Sequence, residues 1–306
     1  MQILFLILGI VVICKILWLF AIAPHIFSKP DISCLKKYDY AHRGLHCKEK
    51  GVPENSMKAF ENAVQCRFGM ELDLQLTKDK KVVVFHDENI KRLCGADKIV
   101  SDLTFEELQN YCLLETSERI PLFEEVLKVV SGVVPLIIEL KTYNDTEELC
   151  SLTWEILKDY TGCYCVESFS PRIVRWFRVN HPEVVRGQLA EHVGGGKNGF
   201  NHISAFLYRN MFTNFYTRPH FEAYNFKHRK NISLRTARFL FGMQEVSWTL
   251  RNEKDFNKAK NDNCLCIFES IIPEKISKTE KIKFAENKFA AEGQGVHSVK
   301  NVTGKK

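Results

Sequence analysis

Short runs rich in apolar and β-branched residues alternate with amphipathic stretches along the chain from residue 38 onward. Amphipathic stretches, which predict helices, lie at 54–66, 122–131, 146–158, 171–179 and 232–241 among others. The runs that predict β-strands lie near residues 38–42, 70–77, 82–86, 135–140, 163–169, 184–189, 221–226, 245–250 and 264–269. Repeated strand–helix units over about 230 residues favour an α/β fold, a parallel TIM-type (β/α)8 barrel.

The number of strand-like runs exceeds the eight of such a barrel by one. The link Lys78–Lys81 is too short for a parallel crossover, so residues 70–86 predict a hairpin with one arm added to the barrel wall. Residues 87–120 then form a mostly irregular insertion before the next helix. A doubly wound sheet is the alternative fold, but no glycine-rich phosphate loop follows the first strand.

The N-terminal segment Ile3–Ala23 is continuously apolar except for Lys15. At about 1.5 Å per residue it spans roughly the 30 Å of a bilayer core, and it predicts a transmembrane anchor over residues 1–24. Lys15 is expected to snorkel toward an interface. A cleaved signal peptide is the alternative, because Ala21–Ala23 has a small-x-small pattern. The absence of a basic stretch before Ile3 and the length of the apolar run favour the anchor.

Charge and cysteine usage bear on the compartment. Basic residues follow the apolar segment closely and none precedes it, so the positive-inside rule places a single-pass protein with its catalytic domain in the cytoplasm. The sequence has 11 cysteines and no CxxC pair. Their spread indicates thiols in a reducing compartment rather than a disulfide framework.

The net charge of +6 comes mostly from the C-terminus. Residues 272–306 are polar and lysine-rich, and they predict a disordered basic tail after a barrel domain at 38–271. The remaining charge is nearly balanced, which argues against a nucleic-acid partner. No protein partner is evident from the sequence.

Several polar side chains fall near the ends of predicted strands. Glu71 and Asp73 are two apart on one strand, so their carboxylates point the same way, and Glu139 and Lys141 repeat the spacing. The carboxyl ends of parallel barrel strands form one catalytic face. We therefore expect one site to collect the following residues: His42, Arg43, Glu71, Asp73, His86, Glu139 and Lys141.

The residue types indicate a chemistry. Three carboxylates make an oxygen-rich site for Mg²⁺ or Ca²⁺, and Arg43 and Lys141 offer donors to phosphate oxygens. Two histidines, His42 and His86, titrate near neutral pH, so one can take a proton while the other gives one. A single His-Asp pair is usually a hydrogen-bonded loop feature, and the convergence of all these groups is what predicts phosphodiester hydrolysis.

The ordered motifs AHRG, PENS, ELDLQLT, VVFHD, IPLFEEVL and IIELK resemble the glycerophosphodiester phosphodiesterase family. ESFSP, VVRGQL and SWTLRN continue the match, which covers roughly residues 38–270. The apolar N-terminus and the Phe-rich segment after residue 200 resemble membrane-anchored bacterial members. The resemblance implies a TIM barrel that hydrolyses glycerophosphodiesters to sn-glycerol 3-phosphate and an alcohol with a divalent cation.

The resemblance also implies roles for individual residues. Glu71, Asp73 and Glu139 would hold the metal, His42 and His86 would be the acid/base pair, and Arg43 and Lys141 would bind phosphate. Glu54 and Asn55 would border the site, and Trp248 would pack on the glycerol carbons unless it is simply a core tryptophan. Pro53 is expected to begin the helix that follows the first strand.

Three functions remain in competition. The first is hydrolysis of small glycerophosphodiesters, the second is a lysophospholipase D activity on membrane lipids, and the third is a catalytically silent, membrane-bound barrel. The segment 201–219 bears on the second, because its apolar residues have helical spacing. It predicts either a barrel helix facing the core or an interfacial helix that holds the active-site mouth against lipid.

Overall fold

A computed structural model describes residues 1–27, 30–192 and 201–273, so most of the predicted tail lies outside the described residues. The strands are β1 Tyr40–Ala41, β2 Gly69–Leu76, β3 Val82–Val84, β4 Leu136–Leu140, β5 Tyr164–Ser168, β6 Arg186–Ala190, β7 Phe221–Asn225, β8 Gln244–Leu250 and β9 Leu265–Phe268. The α-helices are α1 Gln2–Ile22, α2 Ser33–Lys36, α3 Met57–Gln65, α4 Lys91–Cys94, α5 Phe105–Leu108, α6 Phe123–Val130, α7 Thr146–Leu157, α8 Pro171–Asn180, α9 His202–Arg209, α10 Asn214–Thr217, α11 Ile232–Phe241 and α12 Glu253–Asn261.

Eight of the strands form a closed parallel barrel, as predicted. The sheet order is β1-β9-β8-β7-β6-β5-β4-β2-β3, and the pairing of β1 with β2 closes the ring. β3 pairs antiparallel with the second half of β2, with Leu74 opposite Val84. The predicted hairpin is confirmed, and its outer arm β3 is the ninth strand.

The insertion between β3 and α6 is more regular than predicted. It contains the single-turn helices α4 and α5 together with short 3₁₀ turns. Its apolar residues form a cluster of their own with Val83 and Phe85 of the hairpin, which includes Ile90, Leu93, Val100, Leu108, Leu113 and Ile120. This packing holds the insertion firmly beside the carboxyl end of β2.

The amino-terminal half of the barrel interior is an apolar plug. Side chains from opposing strands meet there, among them Tyr40, Ile137, Cys165, Phe221, Ala223, Val246 and Ile267. Gly187 on β6 makes room for the Phe221 ring, because a Cβ at residue 187 would come within 2.0 Å of that ring. The polar residues of β2 and β4 lie above this plug, toward the carboxyl ends of the strands.

The N-terminal helix α1 is the only described helix long and apolar enough to cross a membrane. N-terminal signal sequences share this length and apolar composition. The segment predicted as one helix at 201–219 forms two, α9 and α10. Met211 between them is buried, whereas Ile203, Phe206 and Leu207 are exposed, so the apolar stripe of α9 does not face the barrel core.

The expectation that all cysteines are thiols is wrong for one pair. Cys34, in the short helix α2 that precedes the barrel, forms a disulfide with Cys163 just before β5. The two lie 129 positions apart, so no local sequence pattern announces the bond. The other nine cysteines, all within the described residues, form no disulfide.

Candidate active site

The turn after β1 presents His42 and Arg43 at the carboxyl end of the barrel. His42 continues the strand by donating its backbone N–H to the Phe268 carbonyl at 2.9 Å. The chain then reverses through two residues with positive φ, Arg43 at 56° and Gly44 at 78°. Any side chain at residue 44 would collide with Ala59 of α3, with a Cβ only 2.9 Å from the Ala59 Cβ, so the turn requires glycine.

The helix that follows begins later than predicted. α3 starts at Met57, and its N-cap is Ser56, whose hydroxyl accepts a hydrogen bond from the Ala59 N–H at 3.2 Å. Pro53, Glu54 and Asn55 therefore precede the helix as a loop, and Asn55 has a φ of 53°. In this loop conformation the Asn55 amide reaches Asp73, and the Glu54 carboxylate reaches Arg43.

Three carboxylates converge inside the barrel, as the strand spacing predicted. Glu71 and Asp73 lie on β2, and Glu139 lies opposite Asp73 in the register of β4. One oxygen from each lies within 4.8 Å of the others, and all three residues are buried. Such a group of oxygens has the donor chemistry of a hard divalent cation site.

Cationic and amide groups surround these carboxylates. Lys141 Nζ lies 2.8 Å from Glu139 Oε1 and 3.3 Å from Asp73 Oδ1. Asn55 donates its side-chain N–H to Asp73 Oδ2 at 2.8 Å, and Arg43 Nε lies 3.4 Å from the same oxygen. The Arg43 backbone N–H donates to Glu71 at 3.0 Å.

This environment shifts the pKa values of the two β2 carboxylates, Glu71 and Asp73, in opposite directions. Burial raises the pKa of Glu71 well above its usual range, and the negative charges of Asp73 and Glu139 add to the effect. Burial also acts to raise the pKa of Asp73, but Lys141, His86 and Arg43 outweigh it and hold that pKa well below the usual range. Glu139 has a raised pKa because burial exceeds the influence of Lys141. Neighbouring positive charges therefore stabilise the ionised carboxylate of Asp73 more than that of Glu71.

The residues fit a divalent cation. Asp73 Oδ1 is buried and has no hydrogen-bond partner among the described residues, although the Lys141 ammonium is near. The raised pKa values of Glu71 and Glu139 indicate carboxylates crowded together without enough positive charge. A dication bound between the three carboxylates would supply that charge.

Each histidine has an acidic partner. His42 Nδ1 lies 2.8 Å from Glu269 Oε2, while His42 Nε2 lies 3.8 Å from Glu71 Oε2. His86 Nδ1 lies 2.6 Å from Asp87 Oδ1. In both cases a carboxylate holds Nδ1, and the Nε2 atom of His42 faces the carboxylate of Glu71.

An ionic chain connects the turn after β1 with the insertion. Arg43 Nη1 donates to Glu54 at 2.6 Å, and Arg92 of α4 donates to the same Glu54 side chain at 2.7 and 2.9 Å. Arg92 Nε also donates to Asp87 at 2.6 Å. Because of these cations the pKa of Glu54 falls to about 2 despite partial burial. Glu54 thus orients Arg43 and does not face the site as a free carboxylate.

Trp248 lies at the upper edge of the apolar plug. Its ring is half-buried and makes an edge-to-face contact with Phe169 at 5.7 Å between centroids. Its Nε1 is buried without a hydrogen-bond partner in the described part of the chain. The tryptophan is therefore both part of the barrel core and a neighbour of the polar face.

Sequence reasoning missed four residues of this site. Asp87 and Glu269 hold the histidines, Arg92 bridges two loops, and Glu167 places a fourth buried carboxylate beside Glu139 in the strand register. Burial raises the pKa of Glu167 well above its usual range, and Glu139 and Asp73 add to this. Its spacing to Cys165 on β5 was the available signal, because it places both side chains in the barrel interior.

Comparison with known proteins agrees with this geometry. The profile of the glycerophosphoryl diester phosphodiesterase family matches residues 42–269, which begins and ends on the His42–Glu269 pair. The chain belongs to this family. Membership makes it an enzyme, a glycerophosphodiester phosphodiesterase of the phosphoric diester hydrolase class.

Individual members of the family show how far the likeness extends. YhdW of Bacillus subtilis, whose name places it among the glycerophosphodiester phosphodiesterases, is 32% identical over 71% of this chain and 87% of its own length. Human lysophospholipase D GDPD1 is 38% identical over 120 residues, which are 35% of this chain and 37% of the human protein. The first match covers most of both chains, and the second covers about a third of each.

Solved structures agree on the fold. The glycerophosphodiester phosphodiesterase of Thermotoga maritima is similar with a TM-score of 0.57 and 25% identity, over 76% of this chain and 94% of that one. A phosphodiesterase of Oleispira antarctica, in complex with the product sn-glycerol-3-phosphate, is similar with a TM-score of 0.62 and 20% identity. That match covers 82% of this chain and 96% of the other.

Proposed function

We propose that the protein hydrolyses glycerophosphodiesters to sn-glycerol 3-phosphate and an alcohol, using a divalent cation and the pair His42 and His86. The observation that carries this proposal is the set of three buried carboxylates whose oxygens lie within 4.8 Å of one another, with His42 Nε2 3.8 Å from Glu71. The product in the Oleispira antarctica complex supports the identity of the product here.

Glu71, Asp73 and Glu139 would hold the cation, Mg²⁺ or Ca²⁺. A cation held there would supply Lewis-acid stabilisation of the negative charge on the phosphate, worth several kcal/mol. Lys141 lies 2.8 Å from Glu139, and Arg43 lies 3.4 Å from Asp73. Both cations therefore place positive charge beside the carboxylate cluster. They bind the non-bridging phosphate oxygens and keep the phosphorus in line with the nucleophile.

The histidines move the protons. One imidazole takes a proton from the attacking hydroxyl, of water or of the glycerol 2-position, as the new P–O bond forms. The other gives a proton to the alkoxide as the old P–O bond breaks, so the charges balance over the two steps. Attack by the glycerol 2-hydroxyl gives a cyclic phosphate, which water then opens to sn-glycerol 3-phosphate with the two histidines in exchanged roles. Each transfer contributes about 10²–10⁴ in rate. Glu269 and Asp87 hold the Nδ1 atoms of the two rings, which keeps each Nε2 aimed at substrate.

The remaining site residues position the substrate. Asn55 and Glu54 fix Asp73 and Arg43 through their hydrogen bonds. Trp248 presents an apolar edge for the glycerol carbons and an Nε1–H that has no partner among the described residues. A glycerol phosphate binds with its carbons on this ring and its phosphate toward Arg43 and Lys141.

A lysophospholipase D activity is the second candidate. The resemblance to human lysophospholipase D GDPD1 and the apolar helix α1 both favour a lipid substrate. The chemistry at phosphorus is the same in both cases, and only the alcohol or acyl portion of the substrate differs. A catalytically silent barrel would not need the paired histidines and the carboxylate cluster.

Hydrolysis of a substrate panel tests the proposal. Wild-type protein in detergent is compared with His42→Ala on glycerophosphocholine and on lysophosphatidylcholine. The variant is expected to lose both activities by at least about 100-fold, since His42 acts on either substrate. Near-wild-type turnover by the variant would contradict the assigned role, and the ratio of the two wild-type rates distinguishes the first candidate from the second.

We also propose that residues 1–24 anchor a barrel domain at 38–271 to the membrane in a single pass. Basic residues after α1 favour a cytoplasmic barrel. The disulfide between Cys34 and Cys163 favours the opposite side, because disulfides persist in oxidising compartments. Labelling of residue-specific tags on the barrel in intact cells with a membrane-impermeant reagent decides the orientation.

A further inference from the structure

The end of the N-terminal helix is packed firmly on the barrel. Trp18 donates its indole N–H to the Ser233 hydroxyl at 3.2 Å, and Ile22 is fully buried against neighbours such as Met211 and Tyr224. Arg218 donates hydrogen bonds to the Phe20 and Ala23 carbonyls at 2.9 and 2.8 Å, so these carbonyl groups at the end of α1 have partners. The direction in which α1 leaves the barrel is therefore fixed by the fold.

That direction is toward the catalytic face. His25, just after α1, donates its backbone N–H to the carbonyl of Pro219, which lies two residues before the amino end of β7. Trp18 instead meets Ser233 at the start of α11, the helix that follows the carboxyl end of β7. The helix α1 thus runs antiparallel to the strands, and its exposed residues 1–17 extend past their carboxyl ends.

The length of α1 brings the bilayer close to this face. The candidate span Gln2–Ile22 is about 31 Å long at 1.5 Å per residue, nearly the same as the hydrocarbon core of about 30 Å. Its last five residues are the ones that pack on α10 and α11. A span that uses its full length therefore places the neighbouring helices at the membrane interface.

The helix α9 presents an apolar side at that level. Ile203, Phe206 and Leu207 are 73%, 45% and 40% exposed, whereas Tyr208 on the other side is buried. Tyr208 donates its hydroxyl to the carbonyl of Leu189, near the carboxyl end of β6. The exposed side of α9 consequently faces outward from the catalytic end of the barrel.

Basic residues border this apolar side. Arg209 lies over the Phe206 ring at 5.4 Å, and its carbonyl accepts from Tyr224 at the carboxyl end of β7. Lys230 and Arg235, exposed near the start of α11, add positive charge. An apolar strip bordered by cations suits an interface with anionic phospholipid.

We propose that α9 lies in the membrane interface, so that Ile203, Phe206 and Leu207 contact phospholipid and the catalytic face opens toward the bilayer. The occupant of this surface is the bilayer that holds α1. The proposal rests on α1 as an anchor, and it does not depend on which substrate is hydrolysed. Lipids in the leaflet that α9 contacts then have the shortest path to the site of all substrates.

Photo-crosslinking of the full chain tests the contact. The photoreactive residue p-benzoylphenylalanine is placed at 206 or, as a matched control, at 239 in protein reconstituted into nanodiscs of phosphatidylcholine and phosphatidylglycerol. Phe239 is 87% exposed but lies near the other end of α11, toward the amino ends of the strands. The expected result is a phospholipid adduct at 206, at least tenfold more abundant than at 239. Equal adducts at both positions, or none at 206, would overturn the proposal.

Activity provides a second, independent readout. The double substitution Phe206→Ser and Leu207→Ser is expected to lower turnover of lysophosphatidylcholine in vesicles about tenfold, because the site is held less closely to the lipid. Turnover of soluble glycerophosphocholine should be unchanged, which also shows that the variant folds. An equal loss on both substrates would contradict the interfacial role. Absence of activity in wild type would refute the proposed function and leave the crosslinking result standing.

Discussion

His42 Nδ1 lies 2.8 Å from Oε2 of Glu269, a residue 227 positions away at the end of the last barrel strand. The contact joins the first and last strands of the ring at its catalytic end. Burial lowers the pKa of His42, and the hydrogen bond that its Nδ1 makes to the Glu269 carboxylate acts against this. Burial would raise the pKa of Glu269, but His42 and Arg251 bring it to about 2, so the carboxylate is charged at neutral pH.

We predict that Glu269→Gln lowers kcat about tenfold to hundredfold with little change in KM. The amide keeps the size of the side chain but removes the charge that orients the imidazole. Steady-state kinetics on glycerophosphocholine measure the effect, with Glu253→Gln, an exposed change in α12, as the control. An unchanged kcat for Glu269→Gln would show that His42 needs no partner.

Arg92→Met should impair phosphate binding and proton transfer together. The guanidinium joins Glu54, which holds Arg43, to Asp87, which holds His86. Its loss is expected to raise KM and lower kcat, each several-fold, because phosphate binding and proton transfer both lose a positioned group. The matched control is Lys91→Met, which removes an exposed ion pair of the same short helix with Asp97.

Should Arg92→Met and Lys91→Met have the same kinetics, the ionic chain has no catalytic role. A loss confined to thermal stability would lead to the same conclusion. The two variants are to be compared in kcat, KM and melting temperature in the same detergent.

The buried residue Glu222 should make the stability of the folded protein depend on pH. This residue of β7 is fully buried away from the proposed site, and burial raises its pKa to about 8 even though Asn214 donates a hydrogen bond to it at 3.0 Å. Between about pH 4.5 and 8 the folded chain keeps a proton that the unfolded chain releases. The free energy of unfolding therefore falls as pH rises through this window, by on the order of several kcal/mol.

Glu222→Gln is expected to flatten that pH dependence and to raise the melting temperature at pH 9. Melting temperatures at pH 5 and pH 9 measure it, and Glu183→Gln, which alters an exposed carboxylate, should keep the wild-type slope. Parallel slopes in wild type and Glu222→Gln would show that the carboxylate is charged in the folded protein.

The Cys34–Cys163 disulfide should be detectable by counting thiols. Alkylation in denaturant is expected to modify nine cysteines before reduction and 11 after it. Closing a loop of this length stabilises the folded state by about 2–5 kcal/mol, so Cys34→Ser should lower the melting temperature and abolish its sensitivity to reductant. The control Cys47→Ser should retain that sensitivity. Eleven reactive thiols without reductant would contradict the bond.

The barrel and its carboxylate cluster follow from local pattern. Alternation of apolar runs with amphipathic stretches predicts each of the strands found among the described residues, and the short link Lys78–Lys81 predicts the hairpin. Glu71, Asp73 and Glu139 could be placed together because strand periodicity and a parallel sheet fix their direction.

The contacts between distant parts of the chain were not predictable in the same way. The partner of His42 lies on the last strand, and Cys34 bonds to a residue before the fifth, so only the closed ring brings them together. Proline favours the first turn of a helix, so Pro53 predicts a helix start, but Ser56 provides the N-cap hydroxyl and the helix begins after it. The exposed apolar residues of α9 have the same helical spacing as apolar residues that face a core, so periodicity alone cannot distinguish the two.

The most direct measurement is metal removal and restoration on the wild type and on Glu139→Gln, with glycerophosphocholine as the substrate. We expect EDTA to reduce wild-type hydrolysis at least about 100-fold and added Mg²⁺ or Ca²⁺ to restore it. Glu139→Gln should stay inactive after either addition, whereas Glu222→Gln should respond as the wild type does. Full hydrolysis in EDTA, or full recovery of Glu139→Gln, would contradict a cation held by Glu71, Asp73 and Glu139 as the centre of this site.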